Sequence, residues 1–257
     1  MSSHASAAHT SLSRFAAPYE RLLPQPLQHP AGIHEWRGTA VVWRLSNAAA
    51  QWEQYQWLVQ RPYGQPLFIL LPHLDEIERA VPLLRRLREL RPRAVVPGAI
   101  LGTPEHLRAL LSAPPRSLAV AVTEHLAGRG VLRNAEARKE VQRILELSGE
   151  VTSISQLARR MYTSRRSLGR HFTGWDLPVP SHWLQFGRLL HACVHLQCEP
   201  TAAFRVAARM RYPDGFTMSN QMKRLLGFRP SEVRRLLGWE WLVEAWVEKE
   251  GLGGEEG

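Results

Sequence analysis

Apolar positions change their spacing along this chain, and each change predicts a different kind of structure. Residues 1 to about 36 hold no lasting period. They are rich in Ser, Ala, His and Pro and read as a mobile arm, with one short helix near Tyr19 to Leu23. From Gly38 to Leu126, short apolar runs alternate with amphipathic stretches. Strands are expected over Thr39 to Leu45 (TAVVWRL), Pro66 to Leu71 (PLFILL), Ala94 to Ile100 (AVVPGAI) and Ser117 to Val122 (SLAVAV). Helices are expected between them, over Asn47 to Val59, Asp75 to Leu90 and Pro104 to Leu111. This alternation predicts a small α/β domain over residues 37–128, with a parallel sheet covered on both faces. Pro97 fits the third strand only as its end.

Gly128 to Gly130 interrupts the alternation, and after it the apolar spacing becomes helical. Asn134 is placed to cap a helix running to about Leu147, with Val141, Ile144, Leu145 and Leu147 on one side. Ile154, Leu157, Ala158 and Met161 define a second helix, Tyr162-Thr163 a turn, and Ser164 the cap of a third. In that third helix, SRRSLGRHF, Leu168 and Phe172 share one face while Arg165, Arg166 and Arg170 lie on the other. A long helix is expected from Pro180 to about Cys198, with Pro180 in its first turn. The helix-turn-helix arrangement then repeats. Val206, Ala207 and Met210 form the first helix, Arg211-Tyr212 the turn, and a second helix begins near Asp214. The chain thus divides into an arm (1–36), an α/β domain (37–128), an all-α domain with two helix-turn-helix units (134–236) and a Trp-rich extension (237–257). In that extension Trp239, Leu242 and Trp246 form an apolar side, for packing on the preceding domain or for a partner or dimer contact.

Charge sharpens this division. The 257 residues carry a formal +10, and residues 151–235 alone hold 14 Arg/Lys against 4 Asp/Glu, a surplus of 10. The remainder, with 19 of each, is neutral. Positive charge concentrated on one segment is the footprint of a polyanion partner. A genome biased toward Arg accounts for the type of cation but not for its distribution. Two cysteines, Cys193 and Cys198, make no disulfide framework, and no apolar run reaches about eighteen residues. The N-terminus has no apolar core of a secretory signal, so a cytoplasmic protein is expected, with no membrane contact.

Metal, nucleotide and catalytic chemistry is sparse. His4, His9, His29 and His34 are irregularly spaced and lack carboxylate or Cys partners, and no GxGxxG or P-loop occurs, so neither metal nor cofactor is expected. In a parallel α/β domain a site lies at the strands' C-terminal ends, here Ser46 and Asn47, then Pro72, His73 and Asp75, then Gly98, then Thr123 with Glu124. The element order loosely resembles a receiver domain, but Ser46/Asn47 and Pro97/Gly98 stand where a receiver needs its acidic residues. His73 with Asp75 forms either a small polar site or the cap of the next helix. No nucleophile–base–orienter set accompanies them, so no catalytic residues are assigned.

The C-terminal segment resembles the DNA-binding domain of AraC/XylS-family bacterial transcriptional regulators over about 100 residues, from near Ala135 to Arg235. Three strings carry the likeness: LARRMYTSRRSLGRHF, WLQFGRLLHA and VAARMRYPDGFTMSNQMKRLLGFRPSEVR. The resemblance implies two helices in successive major-groove segments, about 34 Å apart. It implies base reading by Arg166 and Arg170, suited to guanine, and by Asn220, suited to adenine. Arg165, Gly169, Gly215, Phe216 and Thr217 fall at or beside contacting positions, and Lys223 and Arg224 at phosphate contacts. This sequence departs from the family at both turns, where Tyr162 and Arg211 replace Gly. Gly169 and Gly215 offer no side chain to a base, and Met218 and Met222 replace Phe. The function implied is a sequence-specific transcriptional regulator, not an enzyme. Double-stranded DNA and RNA polymerase are its partners, and an effector or a second copy acts through the N-terminal domain. The alternatives are a non-specific architectural DNA binder, or an α/β enzyme with a DNA-targeting domain.

Overall fold

The computed structural model describes residues 11–45, 51–72 and 85–252, and the chain divides into two compact units, Met1–Leu111 and Ser112–Gly257. The first is built on one five-stranded sheet. Its strands are β1 (Leu12–Ala16), β2 (Leu22–Pro24), β3 (Thr39–Arg44), β4 (Leu67–Leu71) and β5 (Ala94–Pro97), in the order β2-β1-β3-β4-β5. β3, β4 and β5 run parallel, with Val41 opposite Leu67 and Ile69 opposite Val95. β1 runs antiparallel to both neighbours, with Leu12 opposite Trp43 and Arg14 opposite Leu23.

The sheet is therefore mixed where an all-parallel one was expected, and residues 12–24 form part of it where a mobile arm with a helix was expected. The strand order is that of flavodoxin-like sheets, but here the first two strands are an antiparallel pair. The buried residues of β1, Leu12 and Phe15, stand three apart, so no period of two betrays the strand; its ladder with β3 imposes the conformation. Tyr19 (φ 65°), whose amide donates to Ala16 O, turns the chain back toward β2, and its hydroxyl donates to Gly38 O at 2.5 Å.

β3 and β4 are buried on both faces, which is why they read as unbroken apolar runs. Val41, Trp43, Leu67 and Ile69 form one core with Tyr55, Trp57 and Leu58 of α2 (Gln51–Gln60) and with Leu90 of a 3-10 turn, Leu87–Leu90. Phe15, Ala40, Val42, Phe68 and Leu70 are buried as well. A short helix α1 (Ile33–Trp36) precedes β3, and His29 stacks on Trp57 at 5.2 Å. Pro97 does end β5, and Gly98 opens α3 (Gly98–Leu101) directly after it. A Cβ on Gly98 would lie 3.0 Å from Leu71 O, a crowded fit that Gly avoids where the chain leaves the sheet. α4 (Pro104–Ser112) buries Leu107 and Leu111. His4, His9, Ser46, Asn47, His73, Asp75 and most of the helix expected from Asp75 lie outside the described residues.

The second unit is helical. Ser117 to Val122, expected as a fourth strand, begins α5 (Leu118–Gly128). Its run of five apolar residues, Leu118 to Val122, fits a buried helix as well as a strand. The Ser117 hydroxyl, accepting from the Val120 amide, decides for helix by capping it. Thr123 accordingly lies buried inside a helix, bonded to Ala119 O, and marks no strand end. There follow α6 (Ala135–Leu147), α7 (Ile154–Arg160), α8 (Arg165–Gly174), α9 (Pro180–Cys198), α10 (Ala203–Arg209), α11 (Gly215–Leu226), α12 (Pro230–Arg235) and α13 (Glu240–Lys249). Asn134 caps α6 through bonds from the Glu136 and Ala137 amides, at 2.7 and 3.2 Å.

α9 is the axis of this unit and touches each of α6, α7, α8, α10, α11, α12 and α13. It packs tightly at Gly187, where a Cβ would fall 2.6 Å from Ser148 Oγ and 3.0 Å from Leu145 Cδ2. α13 is buried on every side from Glu240 to Val247, so it packs, and is not the one-sided amphipathic helix its sequence implied. Trp246 stacks on Phe186 at 4.2 Å and meets Trp183 edge-on at 4.6 Å. Glu244 binds His125 Nε2 at 2.7 Å and Arg129 Nε at 3.5 Å, tying α13 to α5. Residues 112–130 and 237–252 thus lie in the same compact unit as the helices between them, and the two units meet in sequence between Leu111 and Ser112.

Candidate nucleic-acid interface

Each helix-turn-helix unit is assembled from short-range rules. In the first, α7 starts from Ser153, whose hydroxyl accepts from the Gln156 amide, and buries Leu157 and Ala158. It ends with Tyr162 in the left-handed region (φ 54°), Tyr162 N–H donating to Arg159 O and Thr163 N–H to Ala158 O. In the second, α10 ends with Arg211 at φ 56°, Arg211 N–H donating to Ala208 O and Tyr212 N–H to Ala207 O. Both are the same paired closure, a Schellman motif, made without Gly. The following helices are also capped alike. Ser164 Oγ accepts from Ser167 N at 3.0 Å, and Asp214 Oδ1 from Thr217 N at 2.6 Å. That Thr217 amide bond holds the Asp214 carboxyl below the usual carboxylate range.

Counted from their caps, α8 and α11 are equivalent position by position. Leu168 matches Met218 and Phe172 matches Met222, and all four are buried. Arg166 matches Phe216 and Arg170 matches Asn220, each pair one turn apart on an outward face, and all four are exposed. Arg165 and Thr217 are exposed beside them. A Cβ on Gly169 would meet nothing within 4 Å, so that position is open; its equivalent in α11 is Ser219, which the sequence reading passed over. A Cβ on Gly215 would lie 3.4 Å from Phe204 Cα, so Gly215 brings α11 close to the start of α10. The second turn carries one extra residue, Pro213.

The two residues expected at phosphates are exposed but engaged. Lys223 Nζ donates to Gly227 O at 3.1 Å, closing the end of its own helix, and Arg224 Nη2 donates to Gln185 Oε1 at 3.2 Å. Sequence reasoning missed Arg188 on α9. Almost fully buried, its guanidinium donates to Met210 O at 2.8 Å and Arg211 O at 3.4 Å and lies 4.6 Å from the Tyr212 ring. Its signal was present: a lone cation inside the apolar string WLQFGRLLHA. Burial pushes the Tyr212 hydroxyl up to about 12, the nearby guanidinium acting the other way. Arg211 Nη1 in turn donates to Glu150 O at 2.6 Å, linking the second turn to the loop before α7.

Beside α8 lies an open cavity of about 530 Å³, lined by Glu136, Lys139, Arg170 and Trp175 and by Glu140, whose carboxylate meets His171 Nδ1 at 2.9 Å. Among the described residues no group of three or more His, Cys, Asp or Glu is arranged to hold a metal, and no helix is long and apolar enough to cross a membrane. No protein-family model matches this chain, and no curated protein matches it significantly.

Proposed function

We propose that this chain is a sequence-specific DNA-binding transcriptional regulator of the AraC/XylS type. It would lay α8 and α11 in successive major-groove segments and take its regulatory input, an effector or a second copy, through the N-terminal α/β unit. One observation carries the reading. Two helix pairs with the same turn closure and capping present equivalent outward residues, Arg166/Arg170 and Phe216/Asn220, within a segment holding the chain's whole positive surplus. Exposed arginines one turn apart are matched to the O6 and N7 acceptors of guanine, and an exposed Asn to adenine N6/N7. Arg165 stands at the helix start, where a phosphate contact sets register.

Selection of bound duplexes from a random-sequence pool, using the full chain, tests this directly. The expected result is a bipartite site, with affinity falling steeply as salt rises. Arg170→Ala should lose about 1–3 kcal/mol and relax the preference at one base pair. An equal loss on all sequences would make Arg170 a phosphate contact only. A pool that enriches nothing would leave an architectural binder with a low ratio of specific to non-specific affinity.

A further inference from the structure

The second reading helix carries an apolar residue where a soluble surface has least use for one. Phe216 is 75% exposed in the first turn of α11, and Phe204, at the start of α10, is 64% exposed. The backbones beneath them adjoin at Gly215, which lies within ordinary contact distance of Phe204. Both rings are thus presented from one small region, beside Asn220, Thr217 and Arg205, all exposed and polar or cationic. Met218 and Met222 fill the core positions of the same helix, so the fold has no need of Phe216 inward. The residue equivalent to Phe216 in α8 is Arg166, a hydrogen-bond donor. At this position, then, the two helices present opposite chemistries.

Resting on the DNA-binding function proposed above, we infer that Phe216 reads thymine, through apolar contact of its ring with the base's 5-methyl group. In the major groove that methyl is the one apolar mark on a base edge, and Phe is among the side chains suited to it. A solvent-exposed ring gains by covering a methyl, and the neighbouring Arg205 suits a flanking phosphate. The two halves of the site therefore differ in composition. The half under α8 is read through guanine, by Arg166 and Arg170. The half under α11 pairs a thymine, read by Phe216, with a nearby adenine, read by Asn220 from the next turn of α11.

The test takes the duplex selected by the full chain and replaces each thymine in turn by deoxyuridine, which removes only the methyl. One replacement, in the half-site that Asn220→Ala relaxes, should weaken binding about fourfold, as expected for one buried methyl group. Phe216→Ala should abolish that difference while keeping the preferences set by Arg166 and Arg170, and its melting temperature should match the parent because the ring is exposed. Deoxyuridine tolerated at every position overturns the inference while leaving sequence-specific binding intact. A methyl effect that persists in Phe216→Ala also overturns it, since another residue then reads the thymine. A pool from which no sequence is enriched overturns the DNA-reading function, and this assignment with it.

Discussion

The two helix-turn-helix units share a closure but not a support. The α7–α8 turn rests on its own backbone bonds, with Tyr162 98% exposed at its tip. The α10–α11 turn is held from outside. Arg188 reaches it from α9, Tyr212 packs against that guanidinium, and Arg211 reaches back to Glu150. The same backbone geometry thus carries an exposed side chain at its tip in one unit and tertiary bracing in the other. Outward chemistry differs in parallel, with two arginines on α8 and Phe216 with Asn220 on α11.

Four substitutions should separate the units, beginning with the most damaging. Arg188→Ala leaves Met210 O and Arg211 O without their charged donor, and should cost about 2–3 kcal/mol. Amide hydrogen exchange should rise across residues 203–226 and stay near parent values across 154–174; uniform loosening of both would erase the distinction.

Tyr212→Phe should act through pH. The hydroxyl has no hydrogen-bond partner and titrates near 12, above its ordinary value of 10.0. A raised pKa means that the folded state favours the neutral phenol. Its stabilisation is complete below the unfolded pKa and is lost as pH climbs from about 10 to about 12. Denaturant unfolding of Tyr212→Phe should be near parent stability at pH 8. At pH 11.5 the variant should lead by on the order of 1 kcal/mol, and coincident curves at both pH values would disprove the burial effect.

The gentlest test puts Gly into each turn. Tyr162→Gly removes a left-handed non-Gly residue with no side-chain anchor, and should gain about 0.5–1 kcal/mol. Arg211→Gly relieves the same backbone but forfeits the bond to Glu150 O, so its midpoint should stay level or fall. Equal gains at both turns would mean that the external bracing contributes nothing.

What the sequence revealed follows the range of the forces involved. Helix caps at Asn134 and Ser164 and the helix start near Asp214 are local and were legible, as was the inward set Leu168, Phe172, Met218 and Met222. β3 and β4 were legible because double burial makes an apolar run. β1 was hidden because its conformation is imposed by a partner strand, and Ser117 to Val122 because five consecutive apolar residues fit two kinds of element. Within the candidate site, the exposed faces were readable from helical periodicity. The role of Arg188 was not, because it depends on carbonyls 22 and 23 positions away.

The burial of α13 bears on how the protein is made. Trp246, wedged against Trp183 and Phe186, supplies the inner wall of the helical unit, yet it leaves the ribosome after every other helix of that unit. The sheet unit can fold while synthesis continues. Helices α8 and α11 must wait, their core open, until residue 247 emerges. A message truncated after Arg235 would yield α8 and α11 without a closed interior, and a nascent fragment of that kind is a substrate for chaperones and proteases.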